Sequence, residues 1–269
     1  MNESVDRAAE LLHALELELA SKLPDHRFTA SDLAMIDQLH TRGYAATVDL
    51  ARKAGITNGM HVLDLGAGLG GPARYLAETY DCWVEAVDAE DTLVRAADYL
   101  TTRWVGPAAH VTFSVDNAIA LGFPDGTFDL VWMQHVAMNI ADRDRLYREV
   151  RRVLRPGGIF ATYDVLRAQG DLLYPTPWAA LASVSTVLTA DETRDAIEGA
   201  GLRIESFSLE TEAAREWARA VQALGAAQRP PGALLMRAAL GENFRERVGN
   251  LGKNYLEGRA DVAAIVARR

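Results

Sequence analysis

Apolar positions along this chain follow two rhythms. Leu11, Leu12, Leu15 and Leu19 recur at helical spacing, and so do Leu33, Ile36 and Leu39. Two helices are therefore predicted near the start, and a third over Tyr44–Ala54, stopped by Gly55. Beyond it, short apolar runs alternate with helical stretches. The runs His61–Leu65, Trp83–Val87, His110–Ser114, Phe128–Met133 and Ile159–Val165 predict strands. Pro72–Thr79, Asp91–Trp104 and Asp142–Leu154 predict helices between them. Such alternation predicts an α/β fold, a parallel sheet with helices on both faces.

Past Asp164 the pattern changes. Gln169–Pro177 is rich in Gly, Pro and aromatic residues and reads as a long loop. Thr189-Ala190-Asp191-Glu192 is a capping box opening a helix that ends at Gly201, with a strand at Leu202–Leu209 next. A helix near Glu212–Leu224 and a break at Pro230-Pro231-Gly232 follow. One longer helix then carries Met236, Leu240, Phe244, Val248, Leu251 and Tyr255 as a single apolar stripe, read as core. Gly241, Gly249 and Gly252 each weaken it by about 1 kcal/mol. Asp261–Ala267 reads as a closing strand. The expected organisation is a helical cover (1–43), a ligand-binding core (44–168), and a lid loop and helices with closing strands of the same sheet (169–269).

Composition narrows the options. With 269 residues and 49% hydrophobic content, the chain can bury one large core. No apolar run approaches the ~18 residues of a membrane span. The segment Met1–Leu23 is acidic and amphipathic, unlike a signal peptide, so a cytoplasmic location is expected. Cys82 is the only cysteine, which excludes an internal disulfide and a cysteine-rich metal site; no metal is expected. A net charge of −9 argues against nucleic acid as a partner. Residues 226–269 hold 8 basic and 4 acidic side chains, read as a solvated basic helix face rather than an anion site.

The densest chemical signal is Val62-Leu63-Asp64-Leu65-Gly66-Ala67-Gly68-Leu69-Gly70-Gly71. A buried strand ends in a glycine turn that lets backbone approach a ligand, and the next helix begins with free N–H groups. Gly66, Gly68 and Gly71 fit G-x-G-x-x-G, with Asp88 lying 22 residues after Gly66. That spacing alone serves a dinucleotide or S-adenosylmethionine. Three features favour the latter. Asp64 sits two residues before the first glycine, where a carboxylate suits a cationic cofactor. Arg155-Pro156-Gly157-Gly158 stands between a helix and a strand. The strand Phe128–Met133 runs straight into the polar pair Gln134-His135.

Together these residues resemble the class I S-adenosylmethionine-dependent methyltransferases. The resemblance rests on Asp64-x-Gly66-x-Gly68, Asp88 ending the second strand, Asp129-Leu130-Val131 on the fourth, and Leu154–Gly158 before the fifth. The flanking pieces Asp37-Gln38-Leu39-His40 with Gly43, and Tyr174-Pro175-Thr176-Pro177-Trp178, look like the small-molecule branch that includes sarcosine/dimethylglycine and natural-product enzymes of secondary metabolism. The resemblance implies a Rossmann-like, doubly wound, seven-stranded sheet whose last strand is antiparallel, with N-terminal helices and helical lid insertions. It also implies site roles. Asp64, Gly66, Gly68 and Gly70 would lie against the methionine part and ribose of the cofactor. Asp88 with Ala89 would take the ribose hydroxyls, since one carboxylate offers two acceptor oxygens. Asp116 or Asn117 would face the adenine amino group. Met133, Gln134 and His135 would lie beside the reacting methyl.

Methyl transfer from a sulfonium needs positioning and water exclusion more than acid–base pairs. A base helps when the acceptor is a hydroxyl or an acidic carbon, and His40 and His135 are the candidates. His13, His26, His61 and His110 read as structural or solvent-exposed. Tyr163, Tyr174, Trp178 and Trp217 could line an aromatic acceptor pocket under the lid, which would also suit quaternary ammonium. The expected activity is methylation of a small organic acceptor of natural-product or amine type. The alternatives are a chain of this fold using the cofactor in a non-methylating reaction such as a cyclisation, and an NAD-dependent oxidoreductase. The N-terminal helices and the Met236–Tyr255 stripe could serve a homodimer.

Overall fold

The computed structural model describes residues 2–22, 27–223 and 233–269. His26 and the Pro230–Gly232 break lie outside the described residues.

Strand β1 (His61–Leu65) is apolar on successive residues because both its faces are covered. Val62 points into one core with Leu76 and Trp132, while Leu63 points into another with Val131 and Phe160. Period-2 alternation between two buried faces produces the continuous apolar run. The other strands are β2 (Trp83–Asp88), β3 (Val111–Val115), β4 (Phe128–Gln134), β5 (Leu154–Arg167), β6 (Arg203–Leu209) and β7 (Ala260–Arg268). They form one seven-stranded sheet in the order β3-β2-β1-β4-β5-β7-β6. β2, β1, β4 and β5 run parallel, and β7 lies antiparallel between β5 and β6. The expected sheet, with its last strand reversed, is the one observed.

Helices cover both faces. They are α1 (Asn2–Lys22), α2 (Ala30–Asp37), α3 (Tyr44–Ala54), α4 (Gly71–Tyr80), α5 (Asp91–Thr101), α6 (Arg143–Val153) and α7 (Ala190–Gly199), followed by α8 (Thr211–Ala223), α9 (Ala233–Leu240) and α10 (Phe244–Leu256). α7 opens on the predicted capping box, Thr189 with Glu192. A third apolar cluster joins Leu11, Leu15 and Leu19 of α1 to Leu33 and Ile36 of α2 and to Leu69 of the glycine turn. The N-terminal helices therefore sit directly over that turn. Strand order reverses between β1 and β4, and a crevice opens beyond their carboxyl ends, where ligands bind in open α/β sheets. Among the described residues no helix is long and apolar enough to cross a membrane.

The structure corrects several boundaries. The predicted long helix is two, α9 and α10, because Gly241 adopts φ +87° and donates its N–H to Arg237 O at 2.8 Å. A left-handed glycine of this kind ends a helix. The stripe accordingly divides: Leu240 faces the crevice, and Phe244, Leu251 and Tyr255 enter the core. α5 stops at Thr101 rather than at Trp104, since the chain there leaves the helix to bridge Phe28, and the Trp104 indole donates to Glu78. β5 extends beyond the predicted run because β7 pairs with it from Ile159 to Arg167. Leu39 lies past the end of α2 and is exposed.

Candidate functional site

A cavity of about 520 Å³ opens over the carboxyl ends of β1, β2 and β4. One wall is the glycine turn with the end of β2: Asp64, Gly66, Ala67, Gly68, Asp88, Ala89 and Glu90, with Asp116 beyond. The facing wall is Gln134, His135, Val136, Met138, Asn139 and Ile140. Leu39, His40, Pro177, Trp178 and Leu240 cover it.

The turn is fixed by hydrogen bonds and by close approach. Gly66 and Ala67 donate their N–H groups to Val87 O at 2.8 and 3.0 Å, tying the turn to β2. Gly66 has φ +77°, and a Cβ there would lie 2.3 Å from Val136 Cγ2, so no side chain fits between the walls. Gly68 differs: φ is +55°, yet a Cβ would meet nothing within 4 Å. Its free side is the cavity itself. The Gly68 N–H donates to Asp88 Oδ2 at 3.0 Å, and the Glu90 N–H donates to Asp88 Oδ1 at 3.0 Å. Burial pushes the Asp88 carboxyl up, and these two N–H groups oppose that.

Asp64 is 2% exposed, and its Oδ2 has no hydrogen-bond partner. Burial pushes its carboxyl up to about 7, and the negative charge of Asp88 adds to the effect. The Ala73 backbone and the Arg74 charge oppose this only in part, and a buried carboxylate oxygen left without a partner beside another acid is costly.

Arg74 of α4 anchors the turn from below. Its side chain is wholly buried and donates to Asp37 Oδ2 at 2.9 Å, Thr101 Oγ1 at 2.8 Å, Ala97 O at 3.2 Å and Leu69 O. It links α2, the turn and α5.

The facing wall depends on one backbone anomaly. Neighbouring residues on a strand point to opposite faces. Gln134 ends β4, and His135 takes φ +56°, which brings both side chains onto the same cavity. The His135 N–H donates to Tyr163 O at 2.8 Å, and its ring stacks on Tyr163 with centroids 5.7 Å apart. The next turn is pinned by Asp164, whose Oδ2 accepts from the Ala137 N–H at 2.8 Å; burial pushes this carboxyl up to about 6.

The Gln134 amide is oriented unambiguously. Its Oε1 accepts from Trp132 Nε1 at 3.0 Å, and an indole nitrogen can only donate. Thr47 Oγ1 lies 3.0 Å from the same oxygen. Gln134 Nε2 is left buried without a partner, as is His135 Nε2. His40 is engaged: Nε2 lies 3.0 Å from Gln38 Oε1 and 3.2 Å from Thr47 Oγ1, and Nδ1 lies 3.3 Å from Thr41 O. Burial pulls the His40 imidazole down to about 4; it pulls His135 well below the ordinary histidine range, with His40 adding to that. Both rings are neutral at pH 7.

Of the residues singled out from sequence, Asp64, Gly66, Gly68, Asp88, Ala89, Asp116, Gln134, His135, His40 and Trp178 line the cavity. Others lie elsewhere. The Met133 side chain is buried on the opposite face of the sheet, beneath α6. Gly70 caps α4, with Phe113 and Arg74 against it. The Asn117 side chain accepts from Ile119 N as a turn former. Asp116 also shapes that turn, accepting from the Asn117 and Gly122 N–H groups. Tyr163 is buried beneath His40 and His135, while Tyr174 and Trp217 pack on the core. Asp37, Arg74 and Val136 were not foreseen, although Asp37 opens the quoted Asp37–His40 segment. Among the described residues no group of three or more His, Cys, Asp or Glu could hold a metal ion.

Comparison with known proteins adds to this geometry. A family model described as a methyltransferase domain matches residues 63–162. A sterol 24-C-methyltransferase of Eremothecium gossypii is 36% identical over 115 residues, 43% of this chain and 31% of that protein. The chain thus spans about a third of the length of the first curated relatives it matches. Among solved structures, the Haemonchus contortus phosphoethanolamine N-methyltransferase 2, in complex with S-adenosyl-L-methionine, superposes with a TM-score of 0.69. It is 18% identical, over 87% of this chain and 54% of that one. The [4+2]-cyclase SpnF superposes with a TM-score of 0.63 at 20% identity, over 84% of this chain and 80% of that one.

Proposed function

We propose that this chain, whose sheet is built on a methyltransferase domain at residues 63–162, is a class I S-adenosylmethionine-dependent methyltransferase acting on a small organic acceptor. One observation carries the reading: Asp64 and Asp88 stand together on a wall whose Gly68 leaves open space. An adenosyl sulfonium offers what that wall requires, positive charge for Asp64 and vicinal hydroxyls for Asp88.

The cofactor supplies a methyl carbon already activated by its sulfonium. Asp88 holds the ribose hydroxyls, with its carboxylate aimed by the Gly68 and Glu90 N–H groups. Asp64 stabilises the cationic amino-acid end. Asp116, which lines the cavity beyond Asp88, would take the adenine amino group. Gln134 and His135 face the acceptor, and Trp178 and Leu240 give that end of the cavity apolar surface, against which a bound acceptor displaces water and each electrostatic contact strengthens. His135 is the better placed base, since its Nε2 is neutral and partnerless while both nitrogens of His40 face protein groups.

Calorimetric titration with S-adenosylmethionine, S-adenosylhomocysteine and NADH tests the reading. Binding of the first two, reduced at least about tenfold in Asp88→Ala, is expected from the loss of charge-assisted hydrogen bonds. Binding of NADH alone would overturn it. The fold likeness to a cyclase supports a second reading, a cofactor-binding chain that transfers no methyl. A labelled-methyl assay on cell extract separates the two.

A further inference from the structure

The cavity is divided by charge. Asp64, Asp88, Glu90 and Asp116 cluster at the end assigned above to the cofactor. The other end is formed by Leu39, Val136, Met138, Ile140, Trp178 and Leu240 around a small polar corner, Gln134 with His135. Asp37 reaches the cavity already paired with Arg74. The described lining includes no lysine or arginine, and both histidines are neutral. An anionic acceptor group placed there would be desolvated without a counter-charge from the protein, which disfavours it.

The polar corner has a definite hydrogen-bonding signature. Gln134 Nε2 is a donor, because Trp132 occupies the amide oxygen. His135 Nε2 has no partner in the protein, and in the tautomer that carries its proton on Nδ1 it is an acceptor. A hydroxyl group completes both, accepting from the amide and donating to the imidazole. A carboxylate or phosphate accepts from the amide but has no proton for the imidazole nitrogen, and no protein cation stands beside it. A quaternary ammonium has no proton to give.

Resting on the methyltransferase reading, we propose that the acceptor is an uncharged, largely apolar molecule methylated on a hydroxyl oxygen, which is held between Gln134 Nε2 and His135 Nε2. The acceptor oxygen forms a bond to the methyl carbon as the carbon–sulfur bond breaks, its electron pair remaining on sulfur. The hydroxyl proton passes to His135 Nε2 and from there to water. Charge balances: one sulfonium cation and one neutral alcohol give a neutral thioether, a neutral ether and one proton.

The test uses one ring system with three head groups. 2-Naphthol, 2-naphthoate and 2-naphthyl phosphate are titrated by calorimetry into the full chain loaded with S-adenosylhomocysteine. Naphthol is expected to bind at least about tenfold more tightly than either anion. Gln134→Leu is expected to weaken naphthol binding about five- to tenfold, leaving S-adenosylhomocysteine affinity unchanged. With labelled S-adenosylmethionine, the label should appear in 2-methoxynaphthalene. Equal or tighter binding of an anion overturns the proposal, as does failure of naphthol to bind the loaded protein. If S-adenosylhomocysteine itself fails to load, the methyltransferase reading falls first and takes this inference with it.

Discussion

Arg74 donates to Asp37 at 2.9 Å, and both side chains are completely shut off from solvent. The pair joins the helix that carries the glycine turn to the segment 37–40 that roofs the cavity. Burial pushes the Asp37 carboxyl up, and the Arg74 guanidinium opposes that. Removing one partner strands the other as a buried charge, so Arg74→Met and Asp37→Leu should each cost about 3–5 kcal/mol. The double variant should recover part of that loss. Urea denaturation of all four proteins checks this; additive single costs would show that the two residues act separately.

Asp64 predicts a pH dependence of definite sign. Its carboxyl titrates near 7 in the fold, against an ordinary value of 3.8. Between these values the folded chain holds more protons than the unfolded one, so this group makes stability fall as pH rises from about 4 to 7. Asp64→Asn should therefore stabilise the free protein at pH 8, by a few kcal/mol at most. The same change should weaken S-adenosylmethionine binding and flatten the rise of affinity between about pH 6 and 8. Thermal melts and titrations at several pH values provide the measurement.

The two histidines should separate in kinetics. His135→Gln removes the partnerless nitrogen and should lower kcat about 10²–10⁴-fold at unchanged cofactor affinity, the usual range for a general base. His40→Gln should act mainly through its contacts with Gln38 and Thr47, with a smaller loss. Because both imidazoles are held neutral, lowering the pH from 8 to 6 should not protonate either ring. A kcat that falls steeply with an apparent value near 6.5 would contradict this.

Gly68→Ala isolates cofactor contact from folding. A methyl group meets no protein atom there, but φ +55° costs an L-residue about 1–2 kcal/mol. The variant should fold, with a modestly lowered melting temperature, and lose S-adenosylhomocysteine binding by calorimetry. Gly66→Ala collides with Val136 and should damage both properties.

What could be read from sequence was local. The run from Val62 to Gly71 carries strand, turn and helix start within ten residues, and Asp88 ends the neighbouring strand, so both were accessible from spacing. Strand alternation would also have set Met133 apart from Gln134, since adjacent residues on β4 face opposite ways. Other features had no local signature. Arg74 meets Asp37 across 37 residues of chain, and nothing in its helical context marks it as buried. The left-handed backbone of His135 is set by Tyr163 O and by the turn that Asp164 pins, both on β5. Gly241 was visible as a weak point in a helix, but its role as a helix end depends on the chain folding back at that point.

The position of β7 has a consequence for how the sheet is completed. β6 pairs with no other strand, and β5 meets β7 across about a hundred residues of chain. Until residues 260–268 arrive, β5 carries an open edge and β6 is unattached. Such long-range closure is slow, because loop entropy is lost before contacts repay it. An intermediate with β1, β2, β4 and β5 assembled would expose an apolar strand edge, the kind of surface on which partly folded chains associate. Refolding yield should then fall with protein concentration unless β7 docks first.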